Sequence, residues 1–150
     1  MRQHETNFWK QLNRAMRGRW HAQRHEDSSS VGIPDVSAGI GGHTDVWIEL
    51  KALAKPPVRR FTPRIRVNQL NWLEKRGTAG HGACFVMTRV ASRGPFIITP
   101  WNKAREFNKG VDDIDRVCAT SKHAFEHEFG ATLPKLAPDD VAYFLTFFEL

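Results

Sequence analysis

The stretch Gly32–Lys51, GIPDVSAGIGGHTDVWIELK, decides the fold. It opens on Gly-Ile-Pro-Asp, passes through a glycine-rich turn and closes on a strand ending Glu49-Leu50-Lys51. Successive strand side chains point to opposite faces. Val46, Ile48 and Leu50 therefore form a core stripe, while Trp47, Glu49 and Lys51 share the other face. Gly39, Gly41 and Gly42 offer the positive φ that a reversing turn needs. With Ile33–Ala38 as the partner strand, the reversal brings Asp35 close to Glu49. Two carboxylates and a lysine then converge, which suits a divalent metal and a phosphate.

Working outward, residues 3–17 have a helical apolar stripe of Phe8, Leu12, Ala15 and Met16, with Gly18 available to end the helix. Glu5 lies at the edge of that stripe, as helix-dipole charge in the first turn or as an outer metal or water ligand. Trp20–Glu26 is expected to be a strand beside Ile33–Ala38. Arg24 and Glu26 on it either face the site or form an exposed ion pair, so Glu26 rivals Glu5 as third carboxylate.

Downstream of the strand, Lys51 to Leu73 holds no acidic residue, and Lys55, Arg59, Arg60, Arg64 and Arg66 crowd a segment stiffened by Pro56, Pro57 and Pro63. Cations that neutralise phosphates release counterions and dominate nucleic-acid affinity, so this loop is expected to bind a DNA backbone; a solvated basic loop is the alternative. Thr62-Pro63 has the pattern of an N-cap followed by proline at the first helical position. The helix is expected to run to about Arg76, with Gly77 stopping it. Ile65, Gln69, Trp72 and Leu73 share its inner face. Ala83–Val90 and Phe96–Thr99 are strands around a Ser-Arg-Gly-Pro turn. Trp101, Ala104 and Phe107 then pack from a short helix, Val111–Phe129 has a helical pattern, and Val141–Phe148 is an apolar closing segment.

The 150 residues suit one domain, 1–150, with a core at about 3–99 and a helical C-terminal extension over 100–150. At 41% hydrophobic and 25% charged the composition is that of a soluble globular chain. It has no run of membrane-span length and no signal-peptide region at MRQHETNFWK. Cys84 and Cys118 form neither a disulfide framework nor a metal-ligand spacing, and a reducing cytoplasm is the expected compartment. The net charge of +6 is uneven. Residues 106–150 hold four Lys/Arg and nine Asp/Glu, so the first 105 residues carry +11 and are expected to face a polyanion.

Pro34-Asp35 followed by Glu49-Leu50-Lys51 resembles the PD-(D/E)XK nuclease superfamily. The Gly-x-Pro-Asp lead-in is most similar to its VRR-type branch (VRR-NUC), with Holliday-junction resolvases less close. The likeness spans about Glu5 to Val90. It implies an α/β (α+β), restriction-endonuclease-like αβββαβ core with a mixed central sheet flanked by helices. It also implies Mg²⁺- or Mn²⁺-dependent DNA hydrolysis leaving a 5′-phosphate. Asp35, Glu49 and the Leu50 backbone carbonyl would hold the metal, and Lys51 would be catalytic. Gln69 matches a family glutamine near the catalytic lysine; a buried, backbone-satisfied Gln is the other reading. Relatives cut branched DNA, some as homodimers, and a small enzyme of this kind fits a phage gene. A nuclease-fold DNA-binding module without catalysis is the alternative.

A competing pattern, His123-Ala124-Phe125-Glu126-His127, matches the H-x-x-E-H of inverted zinc proteases. Only Glu128, Asp139, Asp140 and Glu149 follow it, so the long spacing to a distal glutamate is missing. Surface histidines beside acidic residues account for the pattern.

Overall fold

The computed structural model describes residues 2–18, 20–26, 32–40, 43–53, 60–80, 84–89 and 96–112. Within them, helix α1 (Arg2–Ala15) precedes strands β1 (Trp20–Arg24), β2 (Val36–Ile40) and β3 (His43–Ala52). Helix α2 (Val67–Thr78), β4 (Cys84–Arg89), β5 (Phe96–Pro100) and α3 (Trp101–Phe107) follow. The five strands form one mixed sheet in sequence order, antiparallel except between β3 and β4. Parallel neighbours need a crossover rather than a hairpin, and α2 lies in it.

The alternation along β3 sorts the core into two layers. Val46, Ile48 and Leu50 pack with Phe8 and Leu12 of α1, with Met16 just beyond it, and with Phe85, Met87 and Ile98. On the other face, Trp47 packs with Val86, Leu70 and Leu73 of α2 and Ala104 of α3. Phe8, Leu12 and Met16 recur every four residues, so one side of α1 is buried. Gly18 then takes φ +79 and turns the chain into β1. Cys84 is buried and in no disulfide among the described residues.

Several expected boundaries shift. β2 begins at Val36 rather than Ile33: Pro34 has no N–H to donate, and Asp35 sits in a bend. Thr62-Pro63 does not start α2. The chain over 62–66 is held non-helical from outside, because the Asn108 side chain accepts from the Ile65 N–H at 2.7 Å and donates to its carbonyl at 3.0 Å. Arg64 takes φ +59 there, and α2 starts after Arg66. Gly77 does not stop the helix. It lies inside α2, where a Cβ would meet the Trp101 ring at 2.1 Å, so its small size lets α3 pack against α2. Val111 opens no helix but forms an antiparallel bridge with Phe61. The His123–His127 pattern and the closing segment lie outside the described residues.

Candidate active site

Register places the carboxylates. Val36 pairs with Ile48 across β2 and β3, and one further step sets Asp35 opposite Glu49. Asp35 is held from both sides: the His25 N–H donates to its carbonyl at 2.7 Å, and its Oδ2 accepts from the Leu50 N–H at 2.8 Å. A strand residue directs its N–H and C=O to the same side, so the Leu50 carbonyl looks toward Asp35 as well. Gly32 makes this approach possible. It has φ +87, and a Cβ there would lie 2.5 Å from the Asn68 carbonyl oxygen, so only glycine lets the Asp35 lead-in press against the first turn of α2.

Glu49, Lys51 and Gln69 form a closed triangle. Lys51 Nζ lies 3.0 Å from Glu49 Oε1 and donates to Gln69 Oε1 at 3.0 Å. Gln69 Nε2 donates to the same Glu49 oxygen at 2.5 Å. Gln69 Oε1 also accepts the Arg66 N–H at 3.0 Å, so one side chain both caps α2 and fastens it to the end of β3. Glu49 is only 1% exposed, and its second oxygen, Oε2, is buried with no hydrogen-bond partner. A buried acceptor left unpaired is costly, and it marks where a cation or donor belongs.

The electrostatics point to the same spot. Burial raises the Glu49 carboxyl to about 8, with the Asp35 charge adding to it and Lys51 opposing. Burial also raises Asp35, against its bond from Leu50, the charges of Lys51 and Arg24 and a side-chain hydrogen bond with the raised Glu49 carboxyl, whose proton a cation would displace. Glu5, half-buried in the first turn of α1, is raised by burial and by Asp35, and is lowered by Lys51 and Arg24. Three carboxylates thus share one field and are destabilised together as anions, a condition a divalent cation relieves. Among the described residues no three His, Cys, Asp or Glu side chains form a ready-made metal cage. Magnesium does not require one, since it keeps several waters and takes one or two carboxylates. The donor set fits such an ion.

The two rivals for third carboxylate are in different places. Glu5 interacts electrostatically with Asp35, Glu49 and Lys51. Glu26 has a side chain 77% exposed and sits 3.7 Å from Arg24 Nη1. Arg24 itself is mostly buried, bonds Thr6 Oγ1 at 3.3 Å and carries a buried Nε without a partner. Thr6, the neighbour of Glu5 on α1, is thereby tied to the site through Arg24, and its adjacency to Glu5 is visible in the sequence. Thr88, buried next to Lys51 in the β3–β4 register with an unpartnered hydroxyl, gave no such signal.

Of the basic loop, Arg60, Arg64 and Arg66 are exposed on the approach to α2. Arg60 lies 3.8 Å from Asp112 and donates to the Gly110 carbonyl at 3.4 Å. Lys55 and Arg59 lie outside the described residues. No helix among the described residues is long and apolar enough to cross a membrane.

No protein-family model and no curated protein matches the sequence. Among solved structures, the chain is similar to Hjc, a Holliday junction resolvase from the archaeal hyperthermophile Archaeoglobus fulgidus. The TM-score is 0.50 at 18% identity, over 76% of this chain and 89% of that one. The mixed five-stranded α+β sheet with flanking helices is thus the restriction-endonuclease-like fold.

Proposed function

We propose that this chain is a metal-dependent DNA endonuclease of PD-(D/E)XK type, acting on branched DNA. The observation that carries the reading is Glu49 Oε2, a buried carboxylate oxygen with no partner beside two further carboxylates raised by burial. Asp35, Glu49 and the Leu50 carbonyl would hold Mg²⁺ or Mn²⁺, with Glu5 rather than Glu26 as the third carboxylate. Such an ion activates water and stabilises charge on a phosphodiester.

The chain's own residues supply the rest. Lys51 has three N–H donors, and Glu49 and Gln69 take two of them. The third is left for a phosphate oxygen or the attacking water, where a fixed cation stabilises developing negative charge. Gln69 aligns Lys51 and Glu49 and holds Glu49 Oε1, leaving Oε2 for the ion. Arg24, whose charge acts on both Asp35 and Glu5, would add a cation for a phosphate. Arg60, Arg64 and Arg66, with Lys55 and Arg59, would carry the flanking backbone.

Branched DNA is the substrate class named for Hjc, and it is proposed here on that structural likeness. The VRR-type affiliation rests on Gly32-Ile33-Pro34-Asp35. The test is a panel of labelled four-way junction, flap, duplex and single-stranded DNA with Mg²⁺, Mn²⁺ or EDTA. The proposal predicts metal-dependent cutting with preference for the branched substrates. Binding without cutting under every metal condition would leave a DNA-binding module instead.

A further inference from the structure

A second cationic feature lies on the opposite face of the sheet from α2. A cavity of about 280 Å³ opens between α1 and the C-terminal ends of β3 and β4. His4, Asn7, Gln11 and Arg14 line it, at the three- and four-residue steps that set side chains on one side of a helix, and Lys10 joins them. Ala52 and Leu53, one and two residues beyond Lys51, form part of its wall, and Arg89 at the end of β4 completes it.

The lining holds Lys10, Arg14 and Arg89 and no carboxylate. Arg89 is 3% exposed, so one of these cations is built into the fold rather than scattered on the surface. Gln11 lines the same cavity, and the two N–H donors of its amide are the groups it could offer a phosphate. The cavity is at the small end of the usual range for ligand pockets, roughly 300–1,000 Å³, with ample room for a phosphate group, and its cations favour an anion.

We infer that this cavity is a phosphate-binding subsite, distinct from the carboxylate cluster, that holds a non-scissile phosphate next to the cleavage position. Glu5 shares the first turn of α1 with His4 but is not among the cavity's lining residues, so the subsite and the third carboxylate lie on different sides of that helix. A strand running over the end of β3 would then be held on both sides of the sheet, by the arginines before α2 on one and by α1 on the other. The assignment of the phosphate to DNA rests on the nuclease reading; a free phosphate has the same chemistry.

Two measurements separate the sources. The first titrates inorganic phosphate into the ¹⁵N-labelled protein and follows the amides of Lys10, Gln11 and Leu53. The second measures duplex DNA affinity in EDTA across a salt series for the wild type and for Lys10→Ala/Arg14→Ala. Both of these side chains are exposed, so the variant keeps its core. Loss of the contact to that one phosphate predicts that the slope of log K against log salt becomes shallower by about one. That result assigns the cavity to the DNA backbone. Shifts with inorganic phosphate and an unchanged slope assign it to a free phosphate. Neither shifts nor a slope change overturns the subsite and leaves the cleavage assay, and the nuclease reading, untouched. Should the wild type cut nothing, the phosphate titration still decides the cavity.

Discussion

The two faces of β3 bury different things. Toward α1 the strand presents Val46, Ile48 and Leu50, each at most 2% exposed and packed among apolar side chains. Toward α2 it presents Trp47, Glu49 and Lys51, of which Glu49 is as deeply buried as its apolar neighbours yet carries an unpartnered oxygen. The same backbone and the same depth thus serve two purposes. The apolar face stabilises the fold through the removal of surface from water. The polar face gives up stability, because a buried carboxylate without full pairing costs free energy. The α1 layer offsets that cost, and it is what lets Glu49 remain poised for a cation.

If this division is correct, mutations on the two faces fail in different ways. The largest effect belongs to Lys51→Ala, which should lower DNA cleavage by about 100- to 1,000-fold, measured on protein shown to be folded, since removing a partner of buried Glu49 also lowers the urea midpoint. Normal cutting by this variant would remove Lys51 from the mechanism. On the opposite face, Leu50→Ala should cost about 2–5 kcal/mol of stability, read by urea unfolding, while folded protein at low temperature still binds metal. A loss of metal binding with stability intact would mean the faces are not separate.

The third contrast is in pH. Glu49 has a folded-state pKa of about 8, above its ordinary value of 4.5. Between those values the folded protein holds more protons than the unfolded one, so stability falls as pH rises through this window. In EDTA the unfolding free energy should therefore drop by the order of a few kcal/mol from about pH 5 to about pH 8. Glu49→Gln should flatten that profile. A wild-type profile that is already flat would contradict the burial argument. The smallest effect is expected at Thr88, whose hydroxyl is buried without a partner beside Lys51. Thr88→Val should change stability by less than about 1 kcal/mol and leave cleavage alone; lost cleavage would make Thr88 part of the site.

The sequence was most legible where one strand's alternation did the work. The faces of β3, the pairing of β1 with β2 and the approach of Asp35 to Glu49 follow from local spacing, whereas Gln69 beside Lys51 is expected only from the family resemblance. Legibility ended where distant residues decide local structure. Thr62-Pro63 has a good capping pattern, but Asn108 clamps Ile65 from 43 positions away, and Gln69 caps α2 from within. Gly77 matches a helix stop, and only the Trp101 ring across the α2–α3 contact explains its presence. The choice between Glu5 and Glu26 was closed to sequence for a similar reason. Both lie near the site in the chain, and only tertiary placement leaves Glu26 exposed while Glu5 shares the field of Asp35 and Lys51.

The claim on which the rest depends is that Glu49 Oε2 awaits a divalent cation. Calorimetric titration of Mn²⁺ into the wild type and Glu49→Gln tests it without reference to any substrate. The account predicts saturable binding to the wild type that weakens at least about tenfold in the variant, a loss of roughly 1.4 kcal/mol. Equal affinity for the two proteins, or no binding to the wild type, would contradict it.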